Sequence, residues 1–127
     1  MSKRVLVVDD EPYIGYLVKM VLSRRGYEVV LALNGEEALT ISQERGFDLF
    51  LLDVAMPRMG GVELCRRLRN LPHAAQTPVV MLTARGDERT KVEALEAGAA
   101  EFMTKPFSPK ALQKRVEEII GDPLKEL

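Results

Sequence analysis

The sequence predicts an α/β fold: a five-stranded parallel sheet in the order 2-1-3-4-5, with helices on both faces. Three observations predict it. Short runs rich in Val and Leu recur along the chain, each bounded by charged or turn residues. Segments with helical spacing of apolar residues fall between those runs. The two patterns alternate, strand then helix, five times over. Runs that are apolar throughout suit strands buried on both faces of a parallel sheet. Strict alternation places the helices on the two faces, and right-handed crossovers leave few ways to connect them.

Each element has its own signal. The first strand is Val5–Val8, stopped by Asp9 and Asp10. Ile14, Leu17, Val18, Val21 and Leu22 follow at i, i+3, i+4, i+7 and i+8, one face of a helix. Pro12 stands where a first-turn proline is tolerated, and Gly26 is placed to end that helix. The second strand is Val29–Leu33, with a weaker helical pattern from Glu36 to Arg45. The third strand is Leu49–Leu52, and Gly60-Gly61 then makes a tight loop before a stripe of Leu64, Cys65, Leu68 and Leu71. The fourth strand is Val79–Leu82, followed by a helix-compatible stretch from Asp87 to Ala97. The fifth is Ala100–Thr104, the least regular of the set. The last helix carries Leu112, Val116, Ile119 and Ile120, opened by Ser108-Pro109 and closed by Gly121. Five strands in this arrangement take the flavodoxin-like order, whose ligand site lies beyond the C-terminal ends of strands 1 and 3.

Bulk properties narrow the function. A chain of 127 residues suits one domain with one core. No apolar run approaches the roughly 20 residues that span a bilayer, and Val5–Val8 is too short for a signal-peptide core. A cytoplasmic protein without membrane contact is expected. Eighteen basic residues against nineteen acidic ones, with no long basic run, argue against direct binding of nucleic acid. Cys65 is the only cysteine, so an internal disulfide and a cysteine-based zinc cage are excluded, and a small core hydrophobe is expected. His73 is the only histidine and sits in a loop-like stretch, where a solvated side chain is expected.

The chemistry lies at the strand ends. Strand 1 ends in Asp9-Asp10, with Glu11 next; strand 3 ends in Asp53, strand 4 in Thr83 and strand 5 in Thr104-Lys105. A parallel sheet brings all of these to one edge. Taken singly, each has an ordinary explanation: a helix cap, a turn residue, a strand terminator, a solvated lysine. Together they place three aspartates in one crevice, where their mutual repulsion would push at least one toward protonation. A hard divalent cation removes that conflict. Mg²⁺, or Mn²⁺ in its place, takes oxygen ligands and favours one or two carboxylates together with phosphate oxygens. Lys105 supplies a further positive charge for a carboxylate or phosphoryl oxygen. Such a site suits phosphoryl transfer, which is mostly positioning and charge neutralisation. There is no Walker loop, and no His or Cys stands at the crevice. The free nucleophile is a carboxylate, and Asp53, central in the sheet, is the natural choice.

On these residues the chain closely resembles the receiver domains of bacterial response regulators, the CheY-like superfamily of two-component systems. The resemblance is carried by Val7-Val8-Asp9-Asp10-Glu11, Asp48 to Asp53, Met56-Pro57-Arg58-Met59-Gly60-Gly61, Thr83-Ala84 and Lys105-Pro106-Phe107, and it covers essentially the whole chain. It implies a receiver domain over residues 1–121, with 122–127 a tail or the start of a linker. It implies that Asp53 takes a phosphoryl group from a phosphohistidine on a sensor histidine kinase or phosphotransfer protein. Asp10 would bind Mg²⁺ directly and Asp9 largely through water, with Asp53 and the backbone carbonyl of Ala55 completing the ligands. Thr83 would be the switch hydroxyl, Phe102 the switch aromatic, and Lys105 the partner of a phosphoryl oxygen. The Lys105-Pro106 bond would be cis. Ala55 and Arg85 would flank the path of the hydrolysing water and tune the lifetime of the phosphoryl group, Arg85 by contacting or screening it. Such a protein is a switch, which catalyses only its own phosphorylation and dephosphorylation.

The resemblance also implies an output face built from the fourth helix, fifth strand and fifth helix. Its charged candidates are Lys91, Glu96, Glu101, Lys110, Lys114 and Arg115, most of them readable as solvated helix charges. Lys91, Glu96, Glu101 and Arg115 resemble part of the dimer face of receivers joined to winged-helix domains, while Ala100 and Ala111 stand where such proteins carry charge. A downstream target, an attached output domain or a phosphorylation-dependent homodimer would use this face. Two rival classes are an FMN-binding electron carrier and a phosphatase that turns over through an aspartyl phosphate. The first needs a Ser/Thr/Gly-rich phosphate loop where Asp9-Asp10-Glu11-Pro12 stands, and a colourless purified protein would settle the point against it. The second typically has an acidic residue where Ala55 stands, and steady release of phosphate from a generic ester would favour it.

Overall fold

A computed structural model describes residues 3–84 and 87–126. Five strands alternate with five helices: β1 (Arg4–Val8), α1 (Pro12–Ser23), β2 (Glu28–Ala32), α2 (Gly35–Glu44), β3 (Leu49–Asp53), α3 (Gly61–Leu68), β4 (Val79–Ala84), α4 (Glu88–Glu96), β5 (Glu101–Lys105) and α5 (Pro109–Ile120). A short 3₁₀ helix, Pro123–Glu126, follows. The strands form one parallel sheet in the order β2-β1-β3-β4-β5, as the sequence predicts.

The alternation of side chains explains why the strands read as unbroken apolar runs. Leu6, Val8, Phe50, Leu52, Val79 and Met81 point to one face, where Leu64, Cys65 and Leu68 of α3 and Ala38 of α2 cover them. Val5, Val7, Leu49, Leu51, Val80 and Leu82 point to the other, under Val18 and Leu22 of α1 and Leu112 and Val116 of α5. With both faces dry, neither set can be polar. Each buried Leu or Val contributes roughly 1.5–3 kcal/mol relative to exposure.

Local chemistry sets the helix ends. Pro12 opens α1, and Gly26 beyond its end has φ +90°. The Asn34 side chain caps α2 by accepting from the Glu37 amide at 2.8 Å, and Ser108 caps α5 by accepting from the Ala111 amide at 3.0 Å. Gly121 ends α5 at φ 87°. Cys65 is fully buried and His73 is exposed, both as expected.

The boundaries depart from expectation in small ways. β2 begins one residue early, at Glu28, because its backbone amide bonds the Lys3 carbonyl and its side chain pairs with Arg4 at 3.1 Å. Leu33, expected in that strand, lies beyond it and is exposed. β4 runs on through Thr83 and Ala84, which keeps Thr83 in register with Thr104. Leu71 lies past the end of α3, yet packs half-buried against the core.

Candidate functional site

The site is assembled where β1, β3, β4 and β5 end. The registers place Val8 beside Leu52, Asp53 beside Leu82, and Ala84 beside Lys105. The residues after β1 and at the tips of β3 and β5 therefore surround one opening. Asp9, Asp10 and Asp53 each bring one carboxylate oxygen into a group whose members lie within 4.8 Å of one another. Asp9 is 2% exposed and Asp53 4%, while Asp10 is exposed. The Lys105 ammonium lies 2.7 Å from Asp9 Oδ2, 3.3 Å from Asp53 Oδ1 and 3.4 Å from Glu11 Oε1.

Backbone donors fix the two buried carboxylates. Asp9 Oδ1 accepts from the Glu11 amide at 2.9 Å, and Asp53 Oδ1 accepts from the Ala55 amide at 3.3 Å. The loop between β3 and α3 is pulled close to the sheet: the Gly61 amide donates to the Val54 carbonyl at 3.0 Å. A side chain on Gly61 would collide with the Asp53 carbonyl oxygen, so this position needs glycine for close approach. Arg58, in the same loop, holds a left-handed φ of 67°. The Lys105-Pro106 peptide is cis, as the resemblance implies.

The electrostatics are unbalanced. Burial first, and then the charge of Asp9, push the Asp53 carboxyl up to about 7, against the opposing pull of Lys105. Burial alone would lower the Lys105 ammonium, but its hydrogen bond to Asp9 and the charges of Asp53 and Asp9 hold it above its usual value. One ammonium thus serves several carboxylates. The donor set is all oxygen, converging and short of positive charge, which fits a hard divalent cation such as Mg²⁺.

Thr83 adds a second kind of deficit. It is 1% exposed, and its Oγ1 has no hydrogen-bond partner among the described residues. An unpaired buried hydroxyl is costly, so an acceptor brought within reach of Thr83 would be bound favourably. The registers set Met81 beside Phe102 and Thr83 beside Thr104. Phe102 and Thr83 therefore lie on the same sheet face, one pleat apart. Phe102 is half-buried against the core cluster that includes Met81 and Leu52.

The sequence-predicted Asp9, Asp10, Asp53 and Lys105 thus meet around the opening, with Thr83 on β4 between the strands that carry Asp53 and Lys105. Arg85 lies outside the described residues. Two contributors were not assigned from sequence. Glu11 reaches Lys105, and its position directly after the Asp pair was the available signal. Asp87 lines the cleft of about 220 Å³ with Glu11, Asp53, Ala55, Ala84 and Lys105; in the sequence it is one more acidic residue before a helix.

The chain and its fold have counterparts among known proteins. Residues 5–117 match the family model described as the response regulator receiver domain. The alkaline phosphatase synthesis transcriptional regulatory protein PhoP of Bacillus subtilis is 45% identical over 120 residues, which cover 94% of this chain and 49% of that protein. The transcriptional regulatory protein SrrA of Staphylococcus aureus is 41% identical over 120 residues, covering 94% of this chain and 48% of that one. The chain therefore spans about half the length of these curated relatives. Among solved structures, chemotaxis protein CheY4 of Vibrio cholerae superposes with a TM-score of 0.90 at 36% identity, covering 94% of this chain and 99% of that one. A CheY-like receiver domain protein of Methanospirillum hungatei gives a TM-score of 0.87 at 32% identity, covering 93% of each chain.

Proposed function

Because the chain belongs to the response regulator receiver domain family of two-component systems, we propose that Asp53 is its phospho-acceptor and that the neighbouring side chains make that transfer and its read-out possible. Support comes from the meeting of Asp9, Asp10, Asp53 and Lys105 around one opening, with Lys105 between Asp9 and Asp53 at 2.7 and 3.3 Å. An Asp53 oxygen bonds to phosphorus as the P–N bond of a donor phosphohistidine breaks, and the histidine leaves with the electron pair. Lys105 neutralises charge on the phosphoryl oxygens. A Mg²⁺ or Mn²⁺ ion held by Asp9, Asp10, Asp53 and the Ala55 carbonyl would supply the remaining positive charge and orient the phosphoryl group.

The switch begins at Thr83. A phosphoryl oxygen is the acceptor that its unpaired hydroxyl lacks, so the modified state is favoured by a contact the free state cannot make. Phe102 shares that sheet face and follows inward as Thr83 moves. Ala55 and Arg85 set the lifetime of the phosphoryl group. The chain's own catalysis ends with that group's arrival and hydrolysis.

The output surface is α4, β5 and α5. Val92 and Leu95 are exposed on α4, and the Arg115 guanidinium donates to Glu101 across β5 and α5. A kinase or phosphotransfer protein is the donor. On this reading the receiver takes in residues 1–121, with 122–127 a tail or the start of a linker, and the α4-β5-α5 face addresses a partner, an output domain or a second copy. No helix among the described residues is long and apolar enough to cross a membrane, and a cytoplasmic location is part of this proposal. Incubation with acetyl phosphate and Mg²⁺ followed by intact-mass measurement tests it. A single phosphoryl adduct, abolished in Asp53→Asn, is expected; an unmodified chain, or an adduct that persists in the variant, would overturn it.

A further inference from the structure

Asp87 belongs to two structures at once. Its carboxylate caps α4, accepting from the Thr90 amide at 3.3 Å. The same residue lines the cleft that holds Asp53 and Lys105. No other residue of the described chain both caps a helix with its side chain and faces this cleft.

The helix that Asp87 caps is held unequally at its two ends. Of the nine residues of α4 only Ala94 is buried. Beyond its C-terminal end the chain is fastened to α3. The Cys65 thiol donates to the Ala97 carbonyl at 3.4 Å, and Arg69 donates to the Gly98 carbonyl at 2.9 Å. Arg69 also donates to the Ala74 and Thr77 carbonyls at 2.9 and 2.6 Å, so the same guanidinium ties the loop after α3 to the turn after α4. Gly98 has φ +104°, and a side chain there would crowd Arg69 Nε at 2.9 Å, so backbone and guanidinium fit closely. At the N-terminal end the cap from Asp87 to the Thr90 amide is local to the helix and its preceding residue.

We propose that Asp87 is a positioning residue that couples charge in the cleft to the first turn of α4, with the Arg69–Cys65 anchor as the fixed end about which the helix responds. This rests on Asp53 being the phospho-acceptor. A phosphoryl group there replaces the single carboxylate charge of Asp53 with close to two on its oxygens, in a cleft that Asp87 lines. Like charges confined in a partly dry cleft repel. Turning away relieves the part of that repulsion that Lys105 and a bound cation leave uncompensated, and it breaks the bond of the Asp87 carboxylate to the Thr90 amide. An N-cap is worth about a fivefold change in the opening of a first turn. The far end stays fixed, so loosening is confined to the turn beside the site.

The test uses the full chain with Mg²⁺ and beryllofluoride, a phosphoryl mimic, and reads amide hydrogen exchange across α4 while fluorine NMR reports occupancy. In the parent, exchange at Thr90 speeds up about fivefold when the mimic binds, while amides near Ala97 and Gly98 do not change. Asp87→Asn keeps the cap without the charge, and Asp87→Ser does the same with a different side chain. In both, the Thr90 acceleration disappears although the mimic still binds, and its affinity rises a few-fold. Equal acceleration in parent and variants, or none in a parent that binds the mimic, overturns the coupling while leaving the phospho-acceptor reading intact. Failure of the parent to bind the mimic overturns both.

Discussion

The Lys105 ammonium lies 2.7 Å from the Asp9 carboxylate, although their strands, β5 and β1, are separated in the sheet by β3 and β4. The contact crosses the mouth of the site and passes Asp53 at 3.3 Å on the way. Lys105 is thus committed to the buried carboxylates before any ligand arrives. Binding of a cation or of a phosphoryl group must redistribute this pairing.

That commitment predicts the behaviour of Lys105→Ala. The variant loses the cation that competes with Mg²⁺, so its Mg²⁺ affinity should rise several-fold, while phosphoryl uptake from acetyl phosphate should fall by at least tenfold. Without metal it should be less stable by roughly 1–3 kcal/mol, because Asp9 is left buried without its ammonium. Metal titration and urea melts check both directions.

Asp53 predicts a pH dependence. Its folded carboxyl is raised to about 7 from an ordinary value near 3.8. In the metal-free protein its contribution to stability is fully present below that ordinary value and is lost as pH rises through about 7. Asp53→Asn removes the ionisation. The variant should exceed the parent by about 2 kcal/mol at pH 8 without metal, and the gap should close toward pH 4. Saturating Mg²⁺ at pH 8 should also narrow it. Urea melts across this range are the measurement, and a gap independent of pH would contradict the assignment.

Thr83 separates stability from switching. Replacing the buried, unpaired hydroxyl with a methyl in Thr83→Val should leave the free protein unchanged or up to about 1 kcal/mol more stable. The same variant should still accept a phosphoryl group, yet fail to shift the surroundings of Phe102, as read by aromatic NMR signals. Thr83→Ser should retain the shift.

Gly61 tests the geometry of the loop beside Asp53. Gly61→Ala places a methyl against the Asp53 carbonyl, and the loop must move to admit it. Destabilisation of about 2 kcal/mol or more is expected, with weakened Mg²⁺ binding. The same change at Gly46, where the nearest heavy atom to an added Cβ is 3.7 Å away, should be mild.

Much of this was legible in the sequence for one physical reason. When both faces of a parallel sheet are covered, its strands must be apolar throughout, so Val5–Val8 and Leu49–Leu52 announce themselves. Polar residues directly after such runs then lie on one edge, and this places Asp9, Asp53, Thr83 and Lys105 together without knowledge of any contact. Partner choice was not legible. Lys105 could have favoured Asp53, and its shorter contact is with Asp9. Arg69 carries no signal in the sequence, yet the loop after α3 brings the Ala74 and Thr77 carbonyls within its reach and the turn after α4 brings that of Gly98. Arg25 looks equally ordinary, yet it pairs with buried Asp122 at 2.7 Å, 97 positions away, and holds the chain after α5 against the turn after α1. Such long-range pairs between charged side chains and backbone or tail leave no periodic trace.

The most direct test of the central claim is chemical trapping at position 53. The protein is treated with acetyl phosphate and Mg²⁺, reduced with borohydride, and mapped by peptide mass. An acyl phosphate on the Asp53 side chain is reduced to the alcohol, so the peptide from β3 should carry homoserine at that position and no other acidic residue should change. Unaltered Asp53 in a protein that has taken up phosphate, or homoserine at position 9 or 10 instead, would contradict it.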